Sequence, residues 1–274
     1  MLATKDLCFG YEEGEEVLTR INLDFSLGKV TGIVGANGSG KSTLFMNLLG
    51  LLKPTSGEVL WQHQGIHYDK AGLYQLRKNV AMVFQDPDQQ IFYTDIKSDI
   101  AFSLRNLGVS ETLIEERLNT VLTLVDAKSF CHKPIQYLSY GQKKRVAIAG
   151  ALMLDAPCIL LDEPTAGLDP KGREHIIQII NKIVAEGKHV VISSHDIDLI
   201  YQICDTVYVL DKGQIALSGQ PEDVFLHTER IKEAQLTQPW LVKLHVQMGI
   251  PLYRTEEALF ASAAFLKSES VEKS

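Results

Sequence analysis

Between Gly35 and Thr43 the chain reads GANGSGKST, in which small residues lead into a lysine and two hydroxyls. Gly35, Gly38 and Gly40, with Ala36, Asn37 and Ser39 between them, let consecutive backbone amides turn inward. Such a nest of N–H groups surrounds phosphate oxygens. An apolar strand, Val30 to Val34, precedes the run, and helix-like spacing at Leu44, Phe45, Leu48 and Leu49 follows it. The positive end of that helix therefore stands behind the bound anion. Lys41 adds a mobile charge for the terminal phosphates, Ser42 a hydroxyl for Mg2+ and Thr43 one for the first phosphate. The expected ligand is ATP with magnesium.

Two carboxylates and an amide supply what hydrolysis of such a ligand needs. Ile159, Leu160 and Leu161 are the apolar run of a buried parallel strand, and Asp162 and Glu163 stand at its carboxyl end, where α/β sheets place ligands. Asp162 is expected to hold magnesium through a water, and Glu163 to accept the proton of the attacking water. Gln85 ends another strand, and its side chain can reach both magnesium and that water. A further string, LSYGQ from Leu138 to Gln142, opens a helix at Ser139 and the amide of Gly141. That helix end favours a second phosphate contact.

The glycine-rich run, LSYGQ and CILLDE at Cys158 to Glu163 together resemble the ATP-binding cassette (ABC) superfamily over nearly all of the first 225 residues. The resemblance implies that the phosphate facing Ser139, Gly141 and Gln142 belongs to the ATP of an opposite subunit, with Asp169 of PTAGLD in the same set. It also implies that His195 of SSHD bonds the terminal phosphate and that Tyr11 stacks on adenine. The chain departs from the commonest pattern at Tyr140, which replaces a glycine. A left-handed tyrosine there would cost about 1–2 kcal/mol, so an ordinary backbone is expected. FQDPDQQIF at Phe84 to Phe92, SYGQKKRVAIAGAL and QPWLVKLH at Gln238 to His245 are similar to the ATPase subunits of energy-coupling-factor importers, within them those for cobalt. Nothing physical in the chain selects cobalt over nickel or a vitamin.

The elements that must position these groups follow from periodicity. The fold class is α/β: a P-loop NTPase (ABC ATPase) core, an antiparallel β edge sheet, a helical subdomain and a mostly helical C-terminal extension. Alternation at Ala3 to Phe9 and Ile21 to Leu27 predicts two edge strands. Strands are predicted at Glu58 to Gln62, Asn79 to Phe84, Ile159 to Asp162 and His189 to Ser193. Amphipathic helices at 95–105, 111–125 and 141–154 form an insertion over about 94–154 of a 1–225 ATPase domain. Within it KKR at Lys143 to Arg145 is a short charged run on a helix. Asp169 caps a helix with Pro170 at its first position and Gly187 as its stop, another helix starts at Asp196, and Lys212-Gly213 turns a hairpin. The extension, 226–274, breaks at Pro239-Trp240 and ends in a polar tail from Lys267, expected to fray. Ile91, Phe92 and Tyr93, just after Gln85, form an apolar cluster expected to line a docking groove with helix 95–105.

Composition excludes several classes. The 274 residues carry 27 Lys and Arg against 34 Asp and Glu, a net charge of -7, so no nucleic-acid partner is expected. Cys8, Cys131, Cys158 and Cys204 form no CxxC pair and read as core thiols in a reducing compartment. Lys5 and Asp6 interrupt any leader, and nowhere do about 18 apolar residues run together. The expected location is the cytoplasmic face of the bacterial inner membrane, as a peripheral ATPase. Its expected partners are a second copy in a head-to-tail homodimer, an integral membrane coupling subunit and a substrate-binding membrane subunit. A chromosome-organising ATPase would need a long coiled coil before LSYGQ, and no sustained heptads occur there. A soluble assembly ATPase of the same superfamily is the closer rival.

Overall fold

The computed structural model describes residues 1–11 and 14–262; the polar tail from Lys267 lies outside them. In chain order the elements are strands β1 (Leu2–Gly10), β2 (Glu16–Asp24) and β3 (Val30–Val34), helix α1 (Lys41–Leu48), then β4 (Ser56–Trp61), β5 (Gln64–Gly65) and α2 (Lys70–Asn79). There follow β6 (Val80–Val83), α3 (Ile96–Asn106), α4 (Glu111–Leu124), α5 (Tyr140–Leu152), β7 (Cys158–Asp162) and α6 (Pro170–Ala185). The chain continues through β8 (His189–Ser194), α7 (Ile197–Ile203), β9 (Thr206–Asp211), β10 (Gln214–Gly219), α8 (Pro221–Leu226), α9 (Thr228–Glu233) and α10 (Trp240–Met248).

Six strands in the order β10-β9-β3-β8-β7-β6 make the main sheet, parallel except for β10. A separate antiparallel sheet, β2-β1-β4-β5, lies at the edge. Because side chains alternate across a strand, β7 supplies both layers of core. Cys158 and Leu160 pack with α1 and the antiparallel sheet, and Ile159 and Leu161 face α5, α6 and the helical insertion. Burial on both faces explains why these strands read as unbroken apolar runs.

The second edge strand departs from expectation. It runs Glu16–Asp24 rather than Ile21 to Leu27, because register shifts against β1 break the alternation near Leu18, while Leu27 is exposed. Helix α2 carried no readable periodicity, since Leu76 alone of its residues is buried; Asp69 caps it by accepting from the Gly72 amide.

The extension packs on its own chain. Phe225, Ile231, Ala234, Leu241 and Val242 join the core that holds Tyr201, and the Trp240 amide donates to Asp198 at 2.8 Å. The expected boundary at residue 225 falls inside α8. Ile231 is wholly buried, so Ile231→Ala is expected to lower unfolding stability by about 2–5 kcal/mol, read from denaturant titration. A loss within experimental error would mean that this segment does not contribute to the core.

Candidate functional site

The loop after β3 owes its shape to its glycines. Gly40, the cap of α1, has φ 105, and a Cβ there would stand 2.9 Å from Leu18 Cδ2. At Gly35 a Cβ would collide with the Leu210 carbonyl and the Ser39 hydroxyl. Lys41 is buried at the first position of α1, and its Nζ donates to the carbonyls of Gly35 (2.8 Å) and Ala36 (3.1 Å). Burial lowers its pKa, and the charges of Glu163 and Asp162 oppose that shift. Tyr11 reaches the same loop: its hydroxyl lies 3.1 Å from Thr43 Oγ1, and its ring meets the edge of Phe9 at 5.0 Å.

Strand β7 delivers the acids to this loop. Ser42 Oγ donates to Asp162 Oδ2 at 3.1 Å, and the Ser193 hydroxyl holds the other Asp162 oxygen. Glu163 follows with φ 45, a left-handed backbone that costs a non-glycine residue about 1–3 kcal/mol. Its amide donates to the Ser193 carbonyl at 3.0 Å, while its Oε2 lies 2.8 Å from His195 Nδ1 and accepts from the His195 amide at 3.3 Å. One cleft is thus lined by Asn37, Gly38, Lys41, Ser42 and Thr43 together with Gln85, Asp162, Glu163 and His195. Residues far apart in the sequence meet there because β3, β6, β7 and β8 are parallel and end on one edge.

Ser139, Gly141, Gln142 and Asp169 are elsewhere. They line a second cleft with Lys171 and His175, sharing no residue with the first. Ser139 and Gln142 form a capping box, Ser139 Oγ accepting from the Gln142 amide and Gln142 Oε1 from the Ser139 amide. That reciprocal pair explains Ser and Gln three residues apart, and it spends both side chains on holding the helix end. Asp169 Oδ1 accepts from the Gly172 amide at 2.7 Å as the cap of α6. Tyr140 begins α5 with an ordinary helical backbone. Its ring lies over Gly167, and its hydroxyl donates to the Gln85 carbonyl at 3.2 Å, joining the two clefts.

One residue here escaped sequence reasoning. Of the KKR run, Lys143 pairs with Asp88 at 2.7 Å and Arg145 with Asp126 at 3.3 Å, each meeting an exposed carboxylate, but Lys144 is wholly buried. Its Nζ donates to the Glu163 carbonyl at 2.9 Å. Burial pushes its pKa down to about 8, against the opposing charges of Asp162, Glu163 and Asp86. The available signal was helical phase: Lys144 precedes the buried Ala147 and Ile148 by three and four residues.

The chain is similar to known proteins. The ABC transporter family profile matches residues 18–166, and a profile described as "AAA domain, putative AbiEii toxin, Type IV TA system" matches 133–200. The cobalt import ATP-binding protein CbiO of Salmonella paratyphi A is 66% identical over 260 residues, 95% of this chain and 96% of that one. The solved structure of cbiO1 from Clostridium perfringens, part of the ABC transporter complex cbiONQ, superposes with a TM-score of 0.78 at 39% identity, covering 91% of this chain and 98% of that one. The ATP-binding cassette MJ0796, solved as a dimer in a post-hydrolysis state bound to ADP and Pi, gives a TM-score of 0.72 at 30% identity, covering 81% and 99%.

Proposed function

The chain belongs to the ABC transporter family, and from that premise we propose that it is the ATP-hydrolysing subunit that powers a cobalt importer. The observation that carries the reading is the meeting of the phosphate loop, Asp162, Glu163 and His195 in one cleft. The loop amides and Lys41 hold the phosphates, and Tyr11 borders the place for the adenine. The Glu163 carboxylate takes the proton of the attacking water, and His195, bonded to it at 2.8 Å, fixes its direction and faces the terminal phosphate. A carboxylate held on two sides can point at one place without reorganising.

A hard cation fits the neighbouring donors. The Ser42 hydroxyl and Asp162 carboxylate already lie 3.1 Å apart, and with the Gln85 amide they form an all-oxygen set of the kind magnesium takes. Bound there, magnesium would neutralise phosphate charge.

The second cleft lacks a phosphate loop, and its positive groups, the α5 amides with Lys171, suit an anion from another molecule. The site is therefore shared in a head-to-tail homodimer, each chain covering its partner's ATP. Among the described residues no helix is long and apolar enough to cross a membrane. The chain works as a peripheral subunit at the cytoplasmic face of the inner membrane, docked on an integral coupling subunit beside a substrate-binding one.

The docking face follows the loop after Gln85. Phe92 is 77% exposed and Tyr93 45%, and both rings lie near Phe102 of α3, at 6.4 and 5.8 Å. Ile91, expected in the same groove, instead packs against the core. Phe92 and Phe102 border a groove with Leu49 and Leu154, a mostly apolar lining interrupted by Arg77 and Asp99, of the kind that marks an interaction surface. The double variant Phe92→Ser, Tyr93→Ser is expected to keep its fold and basal ATPase but to lose co-purification with the membrane subunits and cobalt uptake. Uptake at the unaltered rate would remove this face from the interface. The function itself is tested by ATP-dependent cobalt accumulation in cells carrying this chain with its membrane subunits. Accumulation of nickel or a vitamin instead would reassign the cargo.

A further inference from the structure

Lys144 is a lysine with nowhere to snorkel. It lies on α5, wholly buried, four residues after Tyr140 and on the same face, and its ammonium is 5.9 Å from the Tyr140 ring. Its ammonium donates to the carbonyl of Glu163, at 2.9 Å. A buried ammonium is costly and is rarely the stable choice over an apolar side chain of similar size. The acceptor is equally unusual, being the carbonyl of a residue held at φ 45. The peptides on either side of Glu163 are thus both held, the amide by the Ser193 carbonyl and the carbonyl by Lys144 and, within the turn, by the Ala166 amide at 3.2 Å. Strained backbone persists where its surroundings over-determine it. Among the described residues, Lys144 is the part of that restraint supplied by the helix that opens the second cleft.

We propose that Lys144 is a positioning residue for hydrolysis: it holds the Glu163 peptide in its left-handed turn, and through α5 it ties the carboxylate of each chain to the half-site that the same chain offers its partner. This rests on the reading of Glu163 as the base. On one face of α5, Lys144 bonds the Glu163 carbonyl and Tyr140 the Gln85 carbonyl. A displacement of the helix end that meets the partner's nucleotide therefore moves both residues toward or away from the chain's own water.

Lys144→Met keeps an apolar stem in the same space and removes the donor. It is expected to lower kcat by about 10–100-fold, the scale of a misplaced reacting group, with KM for ATP changed less than threefold and the melting temperature unchanged or raised. Combined with Glu163→Gln it is expected to add no further loss, since a residue acting through the carboxylate has nothing left to position. An unchanged kcat, or a loss that adds in full to that of Glu163→Gln, overturns the proposal. So does a fall in kcat that only follows a fall in melting temperature. Should the methionine variant not fold, Lys144→Gln, polar but one bond too short for the carbonyl, is read by the same criteria. Glu163→Gln measured alone separates the two readings. If it keeps wild-type turnover the base assignment fails, whereas its inactivity beside a fully active Lys144→Met removes this proposal only.

Discussion

Glu163→Gln is expected to lower ATP turnover by about 10²–10⁴-fold, the worth of a general base, and to accumulate an ATP-bound dimer. The amide keeps the length of the carboxylate, and the left-handed turn is fixed by the bonds that the Glu163 amide and carbonyl make to the Ser193 carbonyl and the Lys144 ammonium, which the substitution leaves alone. Phosphate binding rests on Lys41 and the loop amides, so affinity for ATP should survive. What disappears is the proton acceptor. A chain that binds but does not hydrolyse stays closed on its partner, so size-exclusion chromatography with ATP and magnesium should show the dimer. A persistent monomer would count against the shared site, and undiminished turnover against Glu163 as the base.

The second large effect is recovery of activity on mixing two inactive chains. Lys41→Ala removes the lysine of the phosphate loop but leaves the second cleft intact. Gly141→Asp does the reverse, placing a carboxylate where the partner's phosphates arrive. The aspartate is accommodated, since a Cβ at Gly141 meets only Leu168 Cδ2 at 3.5 Å, and an acid in the first turn of a helix is favourable to folding. Each homodimer then has two defective sites and is expected to be inactive. In a mixed dimer one site combines the intact loop of one chain with the intact α5 of the other, and turnover should return. A mixture no more active than its components would place both motifs in a single chain's site. The physical basis is the separation of the two clefts, which share no lining residue.

Much of the chemistry was legible because it is local. The phosphate loop is contiguous in sequence, and its glycines, lysine and hydroxyls act through backbone shape and dipoles set within a few residues. Asp162, Glu163, Gln85 and His195 could be placed because each follows a strand, and parallel strands bring their carboxyl ends to one edge whatever lies between. The helix caps at Ser139, Asp169 and Asp196 are local in the same sense.

Tertiary structure decided which helix starts meet. Ser139 and Asp169, thirty residues apart, meet each other and not the phosphate loop, because the starts of α5 and α6 lie side by side. It also decided the inward turn of Ile91 beside an exposed Phe92, since neighbouring apolar residues in a loop give no phase. The fate of KKR shows the reason most clearly. Three adjacent cations are alike as charges, but a helix rotates each onto a different face, and only packing says which face is covered. For Lys143 and Arg145 that face meets the exposed carboxylates of Asp88 and Asp126; for Lys144 it is the interior, where an ammonium must find an acceptor and finds the carbonyl of Glu163.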